Sequence, residues 1–377
     1  MTPMTKYPRR RNLRTILAVI VLSASILIAS LAILNFYQSE PLTLKVYTYD
    51  SFLKWGPDRD NIDDLAFGPF EERYNVKVDI VRLLTDASGI ITKLVAESSN
   101  PVADVVIGID NTLILKANTK SVLESYTPLT LPQIDSELVD LLDPEHYVTP
   151  FDYGLITLIH SKSAINATTN PDIENMTLGT LANYGDALVT ENPHLSSPGL
   201  AFLLSEITMS EKLLNQDWQD WWNIVNANIS VVSGWTDAWN VWYESPTRYF
   251  LNSYGTDPAY SAYFYGSPPD TAALPLHYNG TDYAWMQVEG IGLVKNSQNP
   301  DIAKLFIDYC LSTELQSYIG INQWMYPANP SVEMDSAFQY ALHLEDVSLF
   351  NNLLPRSEIA ANLNTWLEEW DLIRTEL

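Results

Sequence analysis

The chain has 377 residues, 46 acidic against 21 basic, giving a formal charge of −25, with five histidines and one cysteine. That balance argues against nucleic-acid binding, which needs basic surface. A single cysteine excludes an intrachain disulfide, so stability must come from apolar cores, one large or two of ordinary size.

The basic residues are unevenly placed. Lys6, Arg9, Arg10, Arg11 and Arg14 precede residues 16–34, a run without charge. As a helix that run spans roughly 28 Å, close to the hydrocarbon thickness of a bilayer. Residues 1–15 are expected to stay in the cytoplasm, residues 16–36 to form a transmembrane anchor or an export signal, and the rest to face outward. The run exceeds an ordinary signal core, and its small-residue pair, Ser30 and Ala32, lies inside it. Both points favour an uncleaved anchor. The first 36 residues hold five of the basic residues and none of the acidic ones, so the remainder stands at −30. A monomer with a solvated acidic surface is expected, and such a surface attracts cations over long range.

Strands and helices alternate from residue 42. Residues 44–49 read as a strand, 61–74 as a helix, 76–84 as a strand, 90–97 as a helix and 105–109 as a strand. This βαβαβ order predicts a parallel sheet with helical crossovers. After Pro150, strands are predicted at 154–160, 187–189 and 229–232, with helices at 177–183, 198–209 and 217–225. Residues 283–294 read as strand. Residues 299–319 read as one helix, with Ala303, Phe306, Ile307 and Cys310 on its apolar face. An acidic amphipathic helix closes the chain at 357–377. The alternation predicts an α/β fold of two lobes: 42–150, then 151–285, with 286–377 returning to the first.

Functional signals gather at element ends. The strand VYTYDSF (46–52) ends in Tyr49 and Asp50, and ADVVIGI (103–109) runs into Asp110. In open α/β sheets ligands bind just outside the carboxyl ends of strands. Trp235 follows Gly234 directly after a predicted strand. Tyr254 and Tyr260 flank the turn-rich 255–258, and Trp324 sits between a helix and Pro327. Rings held this way stack on a flat heterocycle or face a cation. Asp50 and Asp110 are candidates to neutralise a positive ligand. Trp218, Trp221 and Trp222, at helical spacing, are expected to be packing residues. Ser196-Ser197-Pro198-Gly199 and Asp86-Ala87-Ser88-Gly89 each open a helix, whose N-terminus suits an anion. Catalytic signals are poor: the histidines lack metal-ligand spacing, and no GxSxG, HExxH or P-loop pattern occurs. Asn166, Asn175, Asn228 and Asn279 stand in glycosylation sequons.

Eight motifs in register resemble the thiamine-binding proteins of ABC importers, of the type II periplasmic binding fold. They are VYTYDSF with WGP at 55–57, ADVVIGIDN, TPFDYG at 149–154, SSPGLA at 196–201, VVSGWTDAW at 231–239, NSYGTDPAY at 252–260, MQVEG at 286–290 and NQWMYPANP at 322–330. The resemblance implies two α/β lobes with a ligand cleft at the hinge. It implies capture without chemistry, no cofactor, and delivery to a permease with its ATPase. By the same resemblance Tyr49, Tyr254 or Tyr260, and Trp324 stack around the thiamine rings. Asp86, Ala87, Ser197, Gly199 and Trp235 match positions near the phosphate of thiamine phosphates, although a glycine is common where Ala87 stands. Trp324→Ala is expected to weaken binding more than tenfold with little loss of fold. Two alternatives stay open. One is a polyamine-binding protein of the same fold. The other is a thiaminase-like enzyme, for which Cys310 is the sole candidate nucleophile.

Overall fold

The computed structural model describes residues 20–25, 41–85 and 87–375. The chain divides into two units, Met1–Leu42 and Thr43–Leu377. In the first unit residues 20–25 are helical and exposed. The rest of the expected 16–36 segment lies outside the described residues. Among the described residues no helix is long and apolar enough to cross a membrane.

The second unit opens with β1 (Leu42–Tyr49), α1 (Ile62–Tyr74), β2 (Val76–Leu83), α2 (Ala87–Ala96) and β3 (Val105–Asp110). The sequence predicts this βαβαβ run, and β1 pairs β3 in parallel. A short β4 (Leu123–Glu124) and α3 (Ser136–Leu142) lead to β5 (Thr149–Ser161). Next come α4 (Leu178–Ala182), β6 (Leu188–Glu191), α5 (Ser197–Thr208), α6 (Trp218–Val225), β7 (Ser230–Val232), α7 (Trp235–Glu244), β8 (Phe250–Tyr254) and α8 (Asp257–Tyr265). The chain continues through β9 (Thr271–Leu274), β10 (Leu276–Tyr278) and the long β11 (Thr281–Val294). It ends with α9 (Pro300–Cys310), α10 (Thr313–Gln316), α11 (Ile319–Gln323), β12 (Tyr326–Pro327), β13 (Ser348–Leu349) and α12 (Arg356–Thr375).

The predicted helix over 299–319 is broken after Cys310. Ser312 is extended and turns its hydroxyl onto the Tyr309 carbonyl at 2.6 Å, a local bond that competes with helix continuation. The Gln316 and Asn329 side chains take the freed carbonyls of Cys310 and Leu311. Helices α7 and α8 have no counterpart among the predicted elements.

The main sheet runs β2-β1-β3-β11-β5-β8-β6-β7. Parallel strands lie toward each side, since β6 pairs β7 and β8 in parallel. At the centre β5 and β11 are antiparallel to each other, from Trp285↔Ile156 to Ile291↔Thr149. The first half of β5 pairs β11, and its second half pairs β8, from Ile156↔Tyr254 to His160↔Phe250. Two main cores flank these strands. One gathers Val46, Ile107, Phe151, Val288 and Phe306; the other gathers Ile156, Leu204, Trp222, Trp285 and Trp370. A strand buried on both faces reads as a near-continuous apolar run. Asp152, Gly154, Gln287 and Glu289 break that run in β5 and β11, and they lie at the crossing.

Candidate functional site

The site starts from Tyr49, the last residue of β1. Its ring lies over Gly108, whose φ is +104° and where an added Cβ would sit 2.6 Å from the ring carbons. Only glycine accepts both the backbone and the approach. The Tyr49 hydroxyl donates to Glu289 Oε2 at 2.7 Å and accepts from Gln323 Nε2 at 2.5 Å. Burial, then Glu289, holds the phenol well above its ordinary pKa, so it stays a donor. Tyr254, the last residue of β8, accepts from Gln287 Nε2 at 3.0 Å, and that amide also reaches Glu289 Oε1 at 2.9 Å. Gly154 leaves room for the Tyr254 ring and the Met325 sulfur, which a Cβ there would meet at 2.9 and 2.8 Å.

Glu289 therefore sits on a polar floor. In register it faces Asp110 on β3 and Asp152 on β5, and partners directly across an antiparallel ladder share a face. Asp152 is fully buried, and neither carboxyl oxygen has a hydrogen-bond partner. Burial, then Glu289, holds its pKa well above the ordinary carboxylate value.

Aromatic walls stand on this floor. The Trp55 ring meets Trp235 edge-on at 5.0 Å, Trp239 at 6.0 Å and Tyr260 at 6.2 Å. Trp324 meets Tyr260 at 5.4 Å and donates its Nε1–H to the Trp55 carbonyl at 2.9 Å. Trp235 donates its Nε1–H to Ser253 Oγ at 2.8 Å. Together these groups line a cleft of the kind small ligands occupy, ring-walled with a few converging polar groups.

Of the residues singled out in the sequence, Tyr49, Ala87, Ser197, Trp235, Tyr254, Tyr260 and Trp324 line the cleft. Asp50, Asp110 and Gly199 do not. Asp50 is half-buried; burial raises its pKa, and Asp237 adds to that. Asp110 turns its Oδ1 onto Thr112 N, Thr112 Oγ1 and Leu113 N, capping the turn after β3. Gly199 is a packing glycine: a Cβ there would lie 2.6 Å from the Glu191 carbonyl oxygen. Asp86 lies outside the described residues. Trp235 follows β7 as expected and opens α7, a helix that the sequence reading did not include.

Lining residues that sequence reasoning missed include Trp55, Trp239, Asp257, Glu289 and Gln323. Each stands inside a quoted motif, so position was legible and role was not. Among the described lining residues there are two carboxylates, Asp257 and Glu289, and no lysine, arginine or histidine. Rings and carboxylates without a base suit a cation. No cysteine stands among the described lining residues of this cleft. Cys310 is fully buried on α9, and burial pushes its thiol pKa well up, which makes it inert. No group of metal-ligating side chains occurs among the described residues.

Residues 55–317 match the family model for the bacterial extracellular solute-binding protein. The chain belongs to that family. A solute-binding protein of this kind is similar to the thiamine-binding periplasmic protein of Escherichia coli K12, 28% identical over 87% of this chain and 92% of the relative. The corresponding protein of Brucella suis biovar 1 is 26% identical over 87% of this chain and 91% of its own length. Among solved structures, a periplasmic thiamin binding protein matches with a TM-score of 0.74 at 25% identity, covering 89% of this chain and 97% of that one. A ferric binding protein from Campylobacter jejuni shares the fold, with a TM-score of 0.68 at 20% identity over 88% and 99%. The family's two-lobed type II periplasmic binding fold is therefore the fold of this chain.

Proposed function

We propose that this solute-binding protein captures thiamine outside the cytoplasm and delivers it to an ABC permease and its ATPase. The observation that carries the reading is the composition of the cleft: edge-to-face rings around two carboxylates, with no lysine, arginine or histidine among the described lining residues. Thiamine offers two flat rings and one fixed positive charge. Tyr49, Tyr254, Tyr260 and Trp324 would meet the rings, and Trp235 and Trp55 would close over them. Ala87 and Ser197, at the first turns of α2 and α5, would meet the hydroxyethyl arm or its phosphates, with Asp86 beside Ala87. The relatives named for thiamine support the same ligand.

The mechanism is capture. Tyr49 on β1 and Tyr254 on β8 reach the cleft from opposite sides of the central β11 and β5, so bending of those strands would open and close it. A ligand drives closure only as far as it binds the closed form more tightly. Residues 16–36 would tether the protein to the membrane, a reading supported by the uncharged run and its basic flank. The reading is one of binding, as for the family and relatives that the chain matches.

The test is titration calorimetry of the full-length chain with thiamine, thiamine diphosphate and spermidine, following tryptophan fluorescence. One-to-one binding of a thiamine form with quenching is expected. Binding of spermidine alone would keep the fold and replace the ligand.

A further inference from the structure

One carboxylate in the cleft is explained neither by the aromatic box nor by the acidic floor. Asp257 is the first residue of α8 and lines the cleft at 4% exposure. The Ser253 side chain and the Tyr254 backbone hydrogen-bond to its carboxyl group. Ser253 Oγ already accepts from Trp235 Nε1 at 2.8 Å. A serine hydroxyl has one proton, so Ser253 gives that proton to Asp257. A donor chain thus runs from Trp235 through Ser253 to Asp257. The second oxygen, Oδ2, is buried with no partner, and so are two neighbouring lining oxygens, Ser197 Oγ and Thr256 Oγ1. Buried polar groups left without partners are costly, and here they line the cleft.

We propose that Asp257 is the residue by which the cleft reads a ligand's positive charge or N–H donor. The ligand meets Oδ2, the carboxyl proton leaves to solvent, and the donor chain then fixes the Trp235 ring. The ligand in this inference rests on the thiamine reading above.

Burial holds the Asp257 carboxyl up at about 7. Facing it are Tyr254 on β8, Tyr260 on its own helix, Tyr49 on β1 and Glu289 on β11, with Asp152 behind Glu289; Arg59 acts on Tyr260 from the loop after β1. The three tyrosines are held above their ordinary values and stay neutral. Burial, then Glu289, also raises the pKa of Asp152.

The experiment is calorimetry of the full-length chain with thiamine at pH 6, 7 and 8, in buffers of different ionisation enthalpy. If only the carboxylate form binds, the dissociation constant should fall about tenfold from pH 6 to pH 8. About half a proton should be released per thiamine at pH 7. Asp257→Asn, a near-isosteric change, should abolish both effects and weaken binding at pH 8. In the ligand-free protein, tryptophan emission should step near pH 7 and lose that step in Asp257→Asn and in Ser253→Ala. Tight thiamine binding without proton release, or an unchanged pH profile in Asp257→Asn, would overturn the assignment. No thiamine binding at all would sink the thiamine reading instead. The ligand-free emission step would then still decide the donor chain, its absence overturning it.

Discussion

Tyr49 shows how far one ring depends on its neighbours. Gly108 seats it, Glu289 and Gln323 fix its hydroxyl. Gly108→Ala would force a side chain into positive φ and against the ring. We expect a loss of about 1–3 kcal/mol in urea denaturation and at least a tenfold loss of thiamine affinity by calorimetry. Trp324 behaves differently, because it is itself part of a packed cluster. It stacks on Phe338 at 5.9 Å and 9° and holds the Trp55 carbonyl. Trp324→Ala should weaken binding more than tenfold, but this packing replaces the expected small effect on the fold with a loss of about 3–5 kcal/mol. Trp324→Phe should restore most of the stability, and a binding loss that persists there isolates the contribution of the indole. Tyr49, Tyr254 and Trp324 were legible in the sequence because aromatic residues at element ends are conspicuous. Glu289 was not, because its role comes from the strands on either side of β11, and register is not written in a local motif.

At the scale of elements, strong local periodicity was read correctly, the tryptophan-rich α6 included, and the aromatic-rich α7 and α8 were not. Trp235, Ala238, Trp239 and Trp242 follow helical spacing on α7, but β-favouring residues among them hide it. In α8, Pro258 stands in the first turn, a helix-start signal that reads equally well as a turn. The predicted helix over 299–319 failed at Ser312, where side-chain bonds to nearby carbonyls end α9. The placement of Cys310 survived that break. It lies on the buried face of α9 beside Phe306 and Ile307. An aromatic disulfide reagent should leave the native thiol unreacted over hours and modify one equivalent once the chain is denatured. Rapid labelling of the native protein, or thiamine turnover lost in Cys310→Ser, would revive the enzyme alternative.

Across the whole molecule, acidic groups dominate both surface and interior. Burial raises the pKa of Asp152, Glu206 and Asp257, the last to about 7. Asp270, partly exposed and bound to Ser161 and Ser163, is lowered. A carboxyl with a raised native pKa binds more protons folded than unfolded. Its stabilising contribution is complete below the unfolded value and is lost as pH rises through the folded one. For Asp257, the rise from 3.8 to about 7 corresponds to about 4 kcal/mol lost across that interval. Asp270 acts in the opposite direction below the ordinary carboxylate range, outside that window. Self-repulsion of the −25 net charge strengthens the same trend toward neutral pH. The ligand-free protein should therefore melt at higher temperature near pH 5 than near pH 8. Glu206 separates interior from surface, because it lies in the core of the second lobe, bonded by Ser210 and away from the cleft residues. Glu206→Gln should flatten the pH dependence of melting and leave the pH dependence of thiamine affinity untouched. A wild-type melting temperature that rises from pH 5 to pH 8 would show that the buried carboxyls are ionised at no cost to the fold. A cationic ligand should narrow the gap between the two pH values, since it compensates at pH 8 the charge that the empty cleft must bear alone.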